Sequence, residues 1–266
     1  MAKRFHIAQV NIARMRAPLE DPLMADFVAQ LDPVNAVADA SPGFVWRFQT
    51  EGGNATGARP LPDPLILFNM SVWESAEALQ EYVYRSHHAP VLRDRKRWFE
   101  KYTGAISALW WIPAGEIPSV EDGKMRLAHL DDYGETPMAF TFAKRFPEPH
   151  GDPIDYDRRT LISQANTANG DAGGSTEFHY RQREGTIWAT YEGGKVRFGT
   201  LIAIPDTAGF LNMRYQHVNQ DGDIRTGVCW SAPEILPDGR VRLQEFWRWT
   251  SGDGSRGASI LEEVRR

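Results

Sequence analysis

Between Phe5 and Ala13 the side chains alternate, with His6, Ala8, Val10 and Ile12 on one face and Ile7, Gln9 and Asn11 on the other, which predicts an opening strand. The period then changes. In LMADFVAQLDPVNAVADA the residues Leu23, Phe27, Val28, Leu31, Val34 and Val37 recur at helical spacing, with Pro33 expected to kink the helix or start a new turn. Ser41-Pro42-Gly43 stops it, and FVWRFQT follows as a second strand with Phe44, Trp46 and Phe48 on one side. A Gly/Pro-rich loop from Glu51 to Pro64 is long enough to be a candidate lid. The third strand, Leu65 to Trp73, sets Ile66, Phe68, Met70 and Val72 against a mixed face of Leu67, Asn69, Ser71 and Trp73. Ser75 is placed to cap a second helix that runs through Leu79, Tyr82 and Val83 to His87-His88, and after Pro90 the stripe resumes at Val91, Leu92, Arg95, Trp98, Phe99 and Tyr102. A fourth strand (Ala105 to Pro113), a short helix (Ser119 to Tyr133) and a strand (Met138 to Phe146) complete this half.

Strand, helix, strand, strand, helix, strand is the split-βαβ order of a ferredoxin-like α+β domain. The oily sides of the first and third strands are expected under the helices. Gln9, Asn11, Asn69, Ser71 and Trp73 are then left for a cavity or for the sheet of a second subunit, which predicts a homodimer. FPEPHGDPIDY reads as a linker. Beyond it short alternating segments run nearly to the end: RRTLISQAN, STEFHYRQ, TIWATYE, KVRFGTLIAI, FLNMRYQHV, IRTGVCWSA and RVRLQEFWRWT. The turns Asn169-Gly170-Asp171, Glu192-Gly193-Gly194, Asp221-Gly222-Asp223 and Pro237-Asp238-Gly239 fall between them, so an antiparallel, up-and-down, lipocalin-like β-barrel is predicted. Ser255 to Arg266 is expected to be a short helix capping one end. The division is therefore residues 1–146, a linker 147–155, and residues 156–266.

The composition narrows the possible functions. Thirty basic residues against 35 acidic ones leave a net charge of −5, which disfavours nucleic acid as a partner. The cluster Arg93 to Arg97 is read as a solvated helix face. No apolar run reaches the length of a signal peptide or membrane span, so a cytoplasmic protein away from membranes is expected. The lone cysteine, Cys229, excludes an internal disulfide and a multi-cysteine metal site, and reads as a small core residue.

In the barrel, Glu245 shares a strand face with Val241, Leu243, Trp247 and Trp249, and His217 shares one with Leu211, Met213 and Tyr215. A buried glutamate needs a partner, so a structural Glu245–His217 or Glu245–Arg214 contact is expected. The functional alternative is a pocket in which these groups, with Tyr215 and Trp247, hold a small ligand and supply an acid and a base. Asp171-Ala172-Gly173-Gly174 reads as a hairpin loop, because no helix follows to make it a phosphate cradle.

HIAQVNIAR, DPVNAVADASPGFVWR, VWES, YVYRSHHAPVLRDRKRWF and LWWIPAG resemble a domain family of unknown function in the dimeric α/β-barrel superfamily. That superfamily includes antibiotic-biosynthesis monooxygenases and haem-degrading enzymes. The resemblance implies a site of Asn11, Trp73 and His88, with His88 as iron ligand or base, Asn11 as hydrogen-bond donor and Trp73 as pocket wall, and with Trp46, Asn69 and Ser71 toward the substrate. It implies haem or no cofactor, and monooxygenase-like oxidation of an aromatic or polyketide-like substrate, as in secondary metabolism. The alternatives are a non-redox lyase, isomerase or cyclase, and a binding protein for an apolar metabolite. Strand parity opposes the triad, since it sends Asn11 and Trp73 away from the helix that leads to His88. From Ile154, RTLISQAN, FGTLIAI, MRYQHVN and EFWRWTSGDGS resemble small bacterial β-proteins sometimes labelled N-acetylglutamate synthases. Acetyl-CoA-dependent synthases of the common fold need a glycine-containing pyrophosphate turn between strand and helix, and this half has none.

Overall fold

The computed structural model describes residues 4–50, 52–85 and 94–265, which fall into two compact units, 4–147 and 148–266. In the first unit β1 (Phe5–Arg14), β2 (Phe44–Arg47), β3 (Ile66–Trp73) and β4 (Ser107–Pro113) form an antiparallel sheet in the order β2-β3-β1-β4. Among the described residues three α-helices accompany it: α1 (Ala25–Asp39), α2 (Ala76–Arg85) and α3 (Val120–Tyr133). Ser75 Oγ accepts from the Ala78 amide at the start of α2, and Ser119 with Asp122 forms a reciprocal capping box on α3.

The helices take the opposite faces from those expected. Tyr82 of α2 stacks on Trp73 at 4.9 Å, and Leu31 of α1 packs in one cluster with Leu67, so α1 and α2 cover the mixed face. The oily face, built from Val10, Phe68, Met70 and Trp110, lies under α3 instead. Gly123 makes that approach possible: a Cβ there would stand 2.9 Å from the Phe68 ring and 2.7 Å from Met70 Sδ. The oily face is thus covered by α3, while the mixed face is covered by α1 and α2 only in part and leaves Asn11 and Asn69 exposed.

Other expectations fail for local reasons. Helix α1 runs through Pro33 and buries Phe27 and Ala38, while Val28 is exposed, as is Leu23 in the 3-10 turn Pro22–Met24 before the helix. A register shift between Phe44 and Trp46 turns β2 over: Phe44 meets Trp73, whereas Trp46 and Phe48 pack on the oily core. Leu61, from the expected lid loop, also packs there. Met138 to Phe146 is not a strand. The Met138 carbonyl accepts from Arg126 of α3, Thr136 and Ala139 close a tight turn, and only Phe140 pairs with Leu109 of β4.

The second unit is a closed, eight-stranded antiparallel barrel. Its strands are β5 (Thr160–Asn166), β6 (Glu177–Arg183), β7 (Thr186–Gly193), β8 (Val196–Pro205), β9 (Leu211–Asn219), β10 (Ile224–Ile235), β11 (Val241–Trp249) and β12 (Arg256–Glu263). Each pairs with its neighbour in sequence, and β12 returns to β5. The expected C-terminal helix is therefore a strand. Gly257, Ser259 and Leu261 point inward and alternate with Ala258, Ile260 and Glu262, a period of two that no helix could bury. Without it β5 and β11 would both present open edges. No described helix is long and apolar enough to cross a membrane.

Candidate functional site

Inward positions of the barrel are apolar at one end, where Leu161, Ile187, Ala189, Val241 and Leu243 pack together. Elsewhere the interior is incompletely filled and leaves a cavity of about 60 Å³. Its walls are aromatic: Phe178, Tyr191, Tyr215, Trp247 and Trp249 line it. Three of these rings are seated on glycines directly across the ladder, Tyr191 opposite Gly199, Tyr215 opposite Gly227 and Trp247 opposite Gly257. A Cβ on those glycines would fall 2.3, 2.2 and 2.4 Å from the respective rings, so each glycine lets a large side chain lie flat against the wall. The indole N–H groups of Trp247 and Trp249 donate to Asn166 Oδ1 (3.2 Å) and the Asn169 carbonyl (3.3 Å), which fixes both rings.

Two polar constellations face this space. Glu245 on β11 is buried and accepts from Ser259 Oγ at 2.8 Å and Ser231 Oγ at 3.3 Å. Burial outweighs both hydroxyls and raises its carboxyl pKa to about 7. His217 on β9 meets Asp171 Oδ2 through Nε2 at 3.0 Å and the Tyr191 hydroxyl through Nδ1 at 3.1 Å. The Tyr191 hydroxyl has one proton and two acceptors within reach, His217 Nδ1 and the Gln216 carbonyl at 3.2 Å. Loss of hydration lowers the His217 pKa despite Asp171, so the ring is neutral at physiological pH. Deeper in the barrel the Tyr156 and Tyr180 hydroxyls and Ser163 Oγ are buried without a hydrogen-bond partner among the described residues. Cys229 lines the cavity with its thiol pKa pushed up by burial, which removes it as a nucleophile.

The expected Glu245–His217 contact is absent, since each group has its own partners. Arg214 lies outside the barrel, bonded to Asn212, because it alternates with the inward Met213 and Tyr215. Tyr215 and Trp247 do line the cavity. Missed by the sequence reading were Asp171, Tyr191, Ser231 and Ser259. Asp171 was assigned only to a turn, and the serines become visible once the register sets both opposite Glu245.

In the first unit Trp73 is fully buried and donates through Nε1 to Ser71 Oγ at 2.9 Å; Ser71 in turn donates to Gln9 Oε1 at 3.4 Å. Asn11 and Asn69 are opposite one another and exposed. The parity objection falls, because α2 lies on the Trp73 side. Trp46 is on the other face, so it does not join Asn69 and Ser71. His87, His88 and the residues up to 93 lie outside the described residues; from 94 to Tyr102 the expected helix is only a 3-10 turn, Arg95–Arg97, after which Trp98 is buried against Met15 and Phe27 and Phe99 bridges to Met15. Among the described residues no group of three or more His, Cys, Asp or Glu is arranged to hold a metal.

Comparison with known proteins divides the chain at a similar place. Residues 6–156 match a family described as a domain of unknown function (DUF3291), and residues 154–264 match a family described as avidin-like protein. Among solved structures, a protein of unknown function from Nitrosomonas europaea is 13% identical over 44% of this chain and 98% of its own, with a TM-score of 0.29. Apo shwanavidin is 7% identical over 42% of this chain and 98% of its own, with a TM-score of 0.29. No curated protein matches.

Proposed function

The chain belongs, through residues 6–156, to the family described as a domain of unknown function (DUF3291), a membership that names no chemistry, and we propose that its C-terminal barrel binds a small molecule. One observation carries this reading: a closed barrel leaves an aromatic-walled cavity on which Glu245 and the His217–Asp171 pair converge. Such a mix of apolar wall and a few fixed polar groups is what small-molecule sites share. The avidin-like match over the same residues agrees with it. The test is a thermal-shift screen of metabolite-sized compounds against the full chain and against Met213→Trp, which fills the cavity. Compounds that stabilise the wild type and leave the variant unchanged support the reading. Equal shifts in both proteins remove it.

A second reading is monooxygenase-like oxidation of an aromatic or polyketide-like substrate by the first unit, taken as a ferredoxin-like domain of the dimeric α/β-barrel type. Its support is the sheet order together with Trp73, Ser71 and Gln9 joined in a hydrogen-bonded row beside the exposed Asn11 and Asn69. The haem version rests on His88, so no step through iron is derived. Oxygen uptake with a polyhydroxylated aromatic, lost in Asn11→Ala, tests the cofactor-free version. We also propose that the two units fold independently about a linker at 147–155. Limited proteolysis there is expected to leave two pieces that melt separately, and unfolding of both on cleavage contradicts it.

A further inference from the structure

The chemistry of the barrel cavity is lopsided. Five aromatic rings line it together with two carboxylates, Asp171 and Glu245, and no lysine or arginine is among the lining residues. His217 is the one basic group there, and it is already engaged by Asp171. Glu245 receives only the hydroxyls of Ser231 and Ser259, with no ion pair to it among the described residues. The inward-pointing cation of β10, Arg225, is stacked 4.2 Å over the Trp249 ring and paired in register with His217. Ser231, which faces Glu245, is six residues further along the same strand, about 20 Å away at strand rise. Arg225 is therefore held against the Trp249 ring at the His217 end of β10 and leaves Glu245 unpaired.

Resting on the reading that this cavity takes a small molecule, we propose that its ligand is an organic cation, whose ammonium head is held between the Glu245 carboxylate and the faces of Tyr215, Trp247 and their aromatic neighbours. A buried carboxylate is costly unless a positive charge or a proton joins it. Aromatic faces attract the same charge, most strongly where water is excluded. An anionic ligand would meet two carboxylates, and a neutral one would leave Glu245 to be satisfied by protonation. At about 60 Å³ the cavity holds a head of about four to six non-hydrogen atoms, counting about one water-sized probe per atom. Any larger remainder of the ligand must extend from the mouth.

The groups facing Glu245 are Ser231 and Cys229 on β10, Ser259 on β12, Tyr180 on β6, Tyr191 on β7 and Tyr215 on β9; Asp171 and His217 also line the cavity, and Arg225 is paired in register with His217. Burial raises the pKa of the thiol and the three phenols, so between pH 5 and 8 they stay neutral. Cation binding then displaces the Glu245 proton below about pH 7. Affinity should rise about tenfold per pH unit up to that point and flatten above it.

Calorimetry of the full chain with isobutylamine, isobutyramide and isobutyrate at pH 5, 6.5 and 8 tests this, because the three probes differ in charge more than in shape. The amine is expected to bind at least about tenfold tighter than either of the others at pH 8, and about a hundredfold more weakly at pH 5 than at pH 8. At pH 5 its binding should release a proton, read from two buffers of different ionisation enthalpy. Glu245→Gln, checked by its melting curve, should lose the preference for the amine. The wild-type pH series decides the matter if that variant does not fold. Amide or carboxylate binding as tight as the amine, or amine binding that is flat with pH, overturns the cation while sparing small-molecule binding. Failure of all three probes overturns both.

Discussion

Glu245 has two serine hydroxyls and no basic partner, and its burial should be measurable as a pH slope. Its carboxyl pKa is about 7 in the folded chain against 4.5 in the unfolded one. Between these values the folded state keeps a proton that the unfolded state has lost, so stability is fully present below the unfolded value and falls as pH rises to about 7. The span corresponds to about 3 kcal/mol. Two histidines oppose it. His217 has its pKa lowered by burial, and His129, buried and beside Arg126, has its pKa lowered to about 4, so both cost stability as pH falls below 6.5. The difference between wild type and Glu245→Gln isolates the carboxyl. We expect denaturant midpoints to show the wild type losing about 3 kcal/mol relative to the variant from pH 4.5 to 7.5. Parallel pH curves for the two proteins would refute the burial argument.

Gly199, Gly227 and Gly257 weaken their strands in isolation, and the rings of Tyr191, Tyr215 and Trp247 laid across them make good the loss. Gly227→Ala places a methyl where the Tyr215 ring lies, 2.2 Å from Cζ. A cost of about 1–3 kcal/mol is expected, with an altered near-ultraviolet circular dichroism spectrum from the displaced ring. An unchanged spectrum with unchanged stability would show that the ring does not need the glycine. Alternation identified the strands that carry Glu245 and His217 and the face that carries Trp73. It did not identify the partners of Glu245, because Ser231 and Ser259 come from two other strands and only register brings them opposite. The last segment was misread although Gly257, Ser259 and Leu261 alternate inward, since two of the three are small and give little apolar signal. In the first unit the third helix was legible as a helix, but not its target face. That was decided by the close approach at Gly123.

At the scale of the molecule, closure of the barrel depends on its last strand. A chain ending at Gly254 would free the edges of β11 and β5, and we expect it to aggregate or to lose the cooperative melt of the barrel. A soluble truncated chain with an unchanged melt would deny that role. Besides the part of the mixed face left open at Asn11 and Asn69, the outer wall of the barrel offers a surface for the association of two copies. Phe198, Ile202 and Ile204 of β8 are 51%, 53% and 62% exposed, and Trp188 of β7, opposite Ile202 in register, is 40% exposed. From Phe198 to Ile204 this row extends about 20 Å along the strand. Exposed apolar rows of this kind mark contact surfaces. A second copy suits it, because the row, interrupted by Thr200 and with Arg214 beside Ile202, can meet itself about a two-fold axis. Sedimentation at micromolar concentration should therefore give twice the chain mass of 30.1 kDa. Ile202→Lys combined with Ile204→Lys should return a folded monomer. A wild-type monomer would show that the row has no partner of its own kind, and a dimer that survives the double substitution would place the interface elsewhere.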